Sequence, residues 1–522
     1  MVLKKIALNI KVGWCASVIT MALILGCSNE KTFKPEIRPD TESYWLGSDF
    51  WSNRLQDWKL ANGKIKCIPV NGSLPLRTAH ILTVQMTENG HEMVMKTNIT
   101  FEGQNSFSNN NLAGFLIGAG APKMDYRSAA LIHNSLALHA GIFVGTTPDG
   151  TAFIKLPGDP LNQDTEIPSS ENILKEIHLK VVVSQNNNGN ILTVETSDQQ
   201  GQKVDHEQIE ITETGLLAGN VALAANTDRE GITAGFHEIS ISGDKAQIDK
   251  SRKFGPIAFA MYTQSRGILK LTAQMMPLGK HENKRVELQV QEDTEWITID
   301  TSQIIEPGFT VPFRIENWNG KQEKRYRIKY TDNQLNDHYY AGTIQAEPLQ
   351  EDTVKVAALA CYSHCFSNTD GNGGIPGWTN WDYEVFQNIR EKWNPEDLFT
   401  EKNIWFPHNN VVNALEAQNP DLLVFTGDQV YEFKPTRAVH NEGEQTMLDY
   451  LYKWYLWGWS FGDLTKKIPT ICMPDDHDVY QGNIWGMAGE KSSPGERWTD
   501  GGYTESPEFV NMVQRTQTSH MP

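Results

Sequence analysis

Asp421-Leu422-Leu423-Val424-Phe425-Thr426-Gly427-Asp428-Gln429-Val430-Tyr431-Glu432 runs from a short apolar segment into a Gly-Asp turn. The apolar part has the length of a buried strand, and Asn419-Pro420 stops the helix-like stretch 409–418 before it. Upstream, Val354-Lys355-Val356-Ala357-Ala358-Leu359-Ala360 is a near-continuous apolar run, which predicts a strand covered on both faces. Downstream, 445–457 predicts an amphipathic helix with Leu448, Leu451, Tyr452 and Tyr455 on one side. Pro469-Thr470-Ile471-Cys472-Met473 predicts a third strand. Strand, helix, strand, helix, strand means an α/β unit with crossover helices over 353–522.

Polar residues sit just past the three strands: Cys361, then Gly427-Asp428 and Tyr431, then Asp475-Asp476-His477-Asp478. Strand carboxyl ends in an α/β sheet converge on one crevice, so these groups are expected to be neighbours. Asp428 offers two oxygens that can bridge cations, and Gly427 lets the chain turn sharply at a crowded site. The Tyr431 phenolate oxygen suits ferric iron, although an ordinary tyrosine titrates near pH ~10. Cys361 as a thiolate is a softer ligand for iron or zinc. Asp475 and Asp476 supply further oxygens. His477 is the natural proton donor to a leaving alkoxide, or a clamp on transition-state charge. Bland alternatives stand beside these readings. The acidic motif can be a solvated loop, and Cys361 can pair with Cys365 in a disulfide. Cys365 has no assigned role, and Cys472 reads as a small buried apolar residue. His364, His408 and His440 lack motif context. The aromatic run 454–459 reads as packing against the sheet.

The two motifs together, Asp421 to Glu432 followed by Asp475-Asp476-His477-Asp478, resemble the PhoD-like alkaline phosphatases, relatives of the metallophosphoesterases. The Gly-Asp-x-x-Tyr element is shared with purple acid phosphatases, in which the tyrosine binds ferric iron. The resemblance implies that Cys361 is a strand-terminal iron ligand, that Asp476 ligates metal, and that His477 is catalytic. It implies iron with calcium as cofactors and a phosphate ester as substrate. Asn483 falls where family members often carry an asparagine and is a candidate metal or phosphate contact. The resemblance extends from about residue 254 onward and includes a β-sandwich ahead of the catalytic unit.

The remaining chain reads as β structure. Over 44–245, short alternating runs such as Ile177-His178-Leu179-Lys180-Val181-Val182-Val183 are separated by Gly/Asn turns, which predicts an antiparallel sandwich. The order of pieces resembles a concanavalin A-like jelly roll, with glycan as a candidate partner. Gly118-Ala119-Gly120 lacks the helix and third glycine of a dinucleotide fingerprint. Over 254–347 a second alternating set predicts an immunoglobulin-like or fibronectin-like sandwich.

Residues 1–27 read as a leader. Lys4, Lys5 and Lys11 precede an apolar run ending Leu23-Ile24-Leu25-Gly26-Cys27, which resembles a bacterial lipobox with Cys27 lipidated. The expectation is an exported lipoprotein, periplasmic or at the outer membrane or cell surface, tethered to the membrane through 28–43. The net charge of −18 argues against non-specific nucleic-acid binding. It also means that an anionic substrate needs a local inverter of the field, the usual role of bound metal ions. No Gly-Asp-x-His or Gly-His-x-His follows Asp478, and His520 sits in a polar tail. The catalytic unit is therefore expected to be incomplete, with apolar sheet edges and faces exposed. The competing reading is a surface glycan-binding lipoprotein with a degenerate phosphatase unit.

Overall fold

A computed structural model describes residues 32–68, 76–103, 107, 110–133, 137–161, 173–227, 232–349, 351–369, 394–484, 489–492 and 501–521. The leader and Cys27 lie outside these residues. Most of the described chain is β-sandwich, with few helices. Among the described residues no helix is long and apolar enough to cross a membrane.

Period-two alternation builds the N-terminal sandwich. In Ile177–Gln185, Ile177, Leu179, Val181 and Val183 are buried and the residues between them face outward. This strand pairs antiparallel with Asn190–Asp198 and Glu92–Glu102. The larger sheet runs in the order Lys203–Ile211, Asn190–Asp198, Ile177–Gln185, Glu92–Glu102, Thr233–Ser242, Lys64–Cys67, Trp58–Ala61. The facing sheet runs Ala246–Ile248, Arg77–Met86, Gly219–Asn226, Leu112–Ala119, Ile142–Thr146, Ala152–Lys155. Neighbours far apart in sequence mark the jelly-roll crossovers. Residues 32–43 are not a free spacer. Thr32–Phe33 pairs with Thr233–Ser242, and Arg38 forms an ion pair with Glu282 of the second sandwich.

The second sandwich has a three-stranded sheet (Ile257–Ser265, Ile268–Met275, Thr310–Glu316). It faces a four-stranded one (Glu295–Gln303, Arg285–Glu292, Lys324–Thr331, Asp337–Ile344). Tyr262, Leu269, Leu271, Val286, Leu288 and Tyr326 fill the space between them.

The third unit holds three parallel strands in the order Val356–Leu359, Leu422–Phe425, Thr470–Cys472. Three expectations need correction. First, the strand Val356–Leu359 is not covered on both faces: among the described residues it is an edge strand, and Val354 and Val356 are half exposed. Second, the amphipathic helix is longer and more buried than its sequence period suggests. It spans Glu444–Thr465 and is buried on nearly every side, the pattern of a helix at the centre of a core. Third, the polar tail is a helix, Pro507–Thr518, capped by Ser506 and sealed by buried Phe509, Met512 and Val513. His520 behind it is fully buried, with Nε2 2.9 Å from the Thr470 carbonyl. The outer strand Thr470–Cys472 is therefore covered, and the exposed edge is the first one.

The long helix is where the three units meet. Trp457 packs on Phe425 of the parallel sheet, with ring centroids 4.8 Å apart. Trp51 of the jelly roll packs on Trp459 at 5.0 Å and Tyr452 at 5.6 Å. Tyr455 donates to the Met275 carbonyl at 2.8 Å, and Thr465 to the Ala260 carbonyl at 2.8 Å. The aromatic run 454–459 is packing, as expected, but it serves all three units. Gly458 sets the distance: a Cβ there would lie 2.0 Å from the Phe259 ring. Gly458→Val is predicted to lower unfolding free energy by about 3 kcal/mol or more, beyond the usual overpacking range. Denaturant titration of the purified protein measures this, and an unchanged midpoint would show that the contact yields.

Candidate metal centre

The three parallel strands end at one edge, and backbone bonds lock their loops together. The Cys361 N–H donates to the Gly427 carbonyl at 3.1 Å, and the Tyr362 N–H to the Asp428 carbonyl at 2.8 Å. Gly427 has φ +108°, and a Cβ on it would lie 2.5 Å from the Asp475 Cβ. Only glycine accepts both constraints. Asp428 follows at φ 54°, a left-handed conformation that aspartate tolerates better than most residues.

Asp478 ties the second loop to the third. Its Oδ2 accepts from the N–H groups of Asp428 and Asp475, each at 2.9 Å. Its Oδ1 accepts from the Val430 N–H and from Gln517 Nε2, each at 2.9 Å. Burial pushes this carboxyl up to about 7, against the pull of those bonds. Gln517 belongs to the C-terminal helix, so the tail is part of the loop's support. Asp478 has no assigned role in the sequence motif; its signal there is adjacency to His477, whereas its four partners are spread over 90 residues.

These loops gather Asp428, Asp476 and His477, whose ligand atoms all lie within 4.8 Å of one another. Tyr431 donates to Asp428 Oδ2 at 2.9 Å, and its ring lies 4.5 Å from the His477 ring. Glu432, also unassigned from sequence, is buried and holds His477 Nδ1 at 2.8 Å. Of the sequence-predicted residues, Cys361 stands beside Tyr431 and Asp428 but outside the 4.8 Å group. Asp475 is outside it too, with Oδ1 accepting from the Asp476 N–H at 3.0 Å. Asn483 is half-buried on the loop after the third motif. Cys361 and Cys365 are both free thiols, which overturns the disulfide alternative. Cys472 is fully buried, its sulfur 3.8 Å from that of Met261. His364 and His408 are packing residues that burial holds below the ordinary histidine range, His408 at about 3.

The electrostatics are those of crowded anions. Burial, reinforced by Asp428, drives the Tyr431 hydroxyl far above the ordinary tyrosine range. Burial, with Asp428 and Asp475 behind it, raises the Cys361 thiol, which the Tyr431 hydroxyl opposes. Burial also raises Asp476 to about 6, against His477 and with Asp428. Burial alone pulls His477 down; Glu432, Asp428 and Asp476 outweigh it and hold the imidazole above its usual range. Asp428 Oδ1 is buried and makes no hydrogen bond. An unpaired buried carboxylate oxygen is costly, and beside Asp476 and His477 it fits a cation. Asp428 and Asp476 are the residues that would hold it, with Tyr431 and Cys361 within reach once deprotonated and His477 beside them as the proton carrier.

The third loop is anchored from behind. Tyr480 donates to Asp449 Oδ2 at 2.8 Å, and Asp449 also pairs with Lys453 on the long helix. Asp449 Oδ1 accepts from Gln56 Nε2 of the jelly roll at 3.0 Å.

The chain matches no known family profile and no curated protein. Its matches to solved structures include lectins and carbohydrate recognition domains. Lotus tetragonolobus seed lectin is 11% identical and covers 43% of this chain and 96% of its own, at a TM-score of 0.27. Lectin II from Ulex europaeus, also solved complexed with galactose, is 12% identical over 42% of this chain and 100% of its own, at 0.29. Arcelin-5, a lectin-like defence protein from Phaseolus vulgaris, is 13% identical over 43% and 95%, at 0.27. The likeness concerns the concanavalin A-like sandwich in the N-terminal part and carries no argument about ligand or activity.

Replacing Asp478 with asparagine turns two accepted N–H bonds into opposed donors. Each buried N–H left unpaired costs about 1–3 kcal/mol, so Asp478→Asn is predicted to lose about 2–5 kcal/mol by denaturant unfolding. A loss below 1 kcal/mol, near the noise of such extrapolations, would contradict this role.

Proposed function

We propose that the protein is an exported, lipid-anchored metal-dependent phosphoester hydrolase of PhoD-like type. The observation that carries the proposal is the junction of three strand-end loops at Asp428, Asp476 and His477, with a buried unpaired carboxylate oxygen at its centre. Iron with calcium is the cofactor set implied by the resemblance in the motifs. A cation held there supplies Lewis acidity toward a phosphoryl oxygen and toward water. Few protein donors would leave positions for solvent and substrate oxygens, as in reactive rather than closed structural sites.

The protein's own groups divide the remaining work. Glu432 accepts from His477 Nδ1 and fixes the ring, so Nε2 carries the exchangeable proton. An imidazole held above its usual range keeps that proton near neutral pH and can deliver it to a leaving alkoxide. Asp478 holds the two ligand-bearing loops in register, and Gly427 lets Asp475 approach. The cation also resolves the charge problem of a chain at −18, which otherwise repels an anionic ester.

The full-length protein, supplied with iron and calcium, is predicted to hydrolyse an aryl phosphate monoester or diester. Asp428→Asn is predicted to abolish turnover, and chelation to remove it reversibly. Glu432→Gln should lower kcat by roughly 10–100-fold, the usual effect of losing an outer-shell partner. Undiminished turnover in the Asp428→Asn protein would remove this site from the reaction.

A further inference from the structure

A cleft of about 320 Å³ lies where the 35–50 segment, the jelly roll and the second sandwich meet. Its volume is in the ~300–1,000 Å³ range of ligand sites, and junctions between domains are where such sites concentrate. None of its lining residues belongs to the metal centre.

The walls are built from two kinds of group. Trp45, Phe50, Leu278 and Tyr330 give apolar and aromatic surface, and Asp49, Asp332, Gln334 and Asn336 give short polar side chains. Most of the charged members have partners, while Glu36 on the rim has no ion pair among the described residues. Asp49 pairs with Lys253 at 3.4 Å, Asp332 with His338 at 3.1 Å, and Glu282 with Arg38. The carboxylates of Glu36 and Asp332 disfavour an anion here. Three polar atoms in the walls have no hydrogen-bond partner: Tyr330 Oη, Glu282 Oε2 and Trp45 Nε1. Tyr330 is 1% exposed and Glu282 8%. Burial, with Glu282 and Asp332 beyond it, keeps the Tyr330 hydroxyl protonated and so a donor. Two donors and one acceptor buried without partners, beside aromatic faces, suit a ligand with alternating hydroxyls and C–H faces.

We propose that this cleft is a saccharide-binding site, taking a neutral mono- or disaccharide whose hydroxyls engage Tyr330, Glu282 and Trp45. It is independent of the metal centre, and each can fail without the other. The occupant is identified by its chemistry: no net charge, several vicinal hydroxyls, and an apolar ring face to cover aromatic side chains.

The test is titration calorimetry with saturation-transfer NMR on the intact protein. The probes are glucose, galactose, mannose and N-acetylglucosamine, each free and as its methyl glycoside. At least one is expected to bind at millimolar or tighter concentration. Binding of the methyl glycoside too assigns the cleft to chain ends; binding of the free sugar alone assigns it to released sugars. Tyr330→Phe should weaken binding at least fivefold with an unchanged melting temperature, because the hydroxyl it removes bonds nothing in the fold. Gln334→Ala, on the exposed rim, should weaken it without any folding consequence. No binding by any probe, or binding unchanged in both variants, overturns the proposal.

Discussion

Asp449 is the residue on which the arrangement of units depends. It sits fully buried on the long helix, paired with Lys453 one turn on, which is also fully buried. Its two oxygens reach Gln56 of the jelly roll and Tyr480, three residues past His477. Lys453 closes the ring with a 3.3 Å bond to the Tyr480 hydroxyl. Burying such a pair is costly, and breaking it leaves a bare charge worth about 3–5 kcal/mol. The network therefore survives only if the jelly roll, the long helix and the third loop hold one relative position. The aromatic contacts of Trp51, Phe259 and Phe425 around the same helix enforce it without direction; Asp449 adds the direction.

This makes the jelly roll structural support for the candidate centre as well as a possible binding module. Asn53 reinforces the joint: Tyr452 donates to its Oδ1 at 3.0 Å, while its Nδ2 donates to the Ala130 carbonyl at 2.7 Å. The second sandwich contributes through Gln274, which accepts from Trp454 Nε1 at 3.1 Å, and through Phe259 over Gly458. The domain-junction cleft and the candidate metal centre then belong to one frame with separate linings, one of aromatic and short polar side chains, the other crowded with carboxylates.

Local signals in the sequence were enough for the parts whose physics is local. Alternation in Ile177–Gln185 and its neighbours marks half-buried antiparallel strands, and the three apolar runs with polar residues at their ends mark the parallel sheet. Asp428, Asp476 and His477 were legible because each follows a strand end. Other features depend on distant partners. The run 354–360 has the composition of a covered strand, but coverage depends on what packs against it. The helix Glu444–Thr465 looks one-sided in its first turns because the residues that bury its other faces come from Trp51, Phe259 and Met275, nearly 200 residues or more away. Glu432 and Asp478 were in view as letters, yet their roles are set by hydrogen bonds across 40 to 50 positions. The C-terminal helix did carry a readable signal, Ser506-Pro507 at its start and Phe509, Met512, Val513 and Thr516 at helical spacing, masked by the polar residues between them.

The central claim is that the strand-end carboxylates beside His477 form a cation site. Elemental analysis of the purified protein, followed by calorimetric titration of the chelated form with iron and calcium, tests it most directly. The account predicts at least one bound metal equivalent that Asp428→Asn loses while its fold persists by circular dichroism. A protein that carries no metal and takes up none, or one whose metal content is indifferent to Asp428, contradicts it.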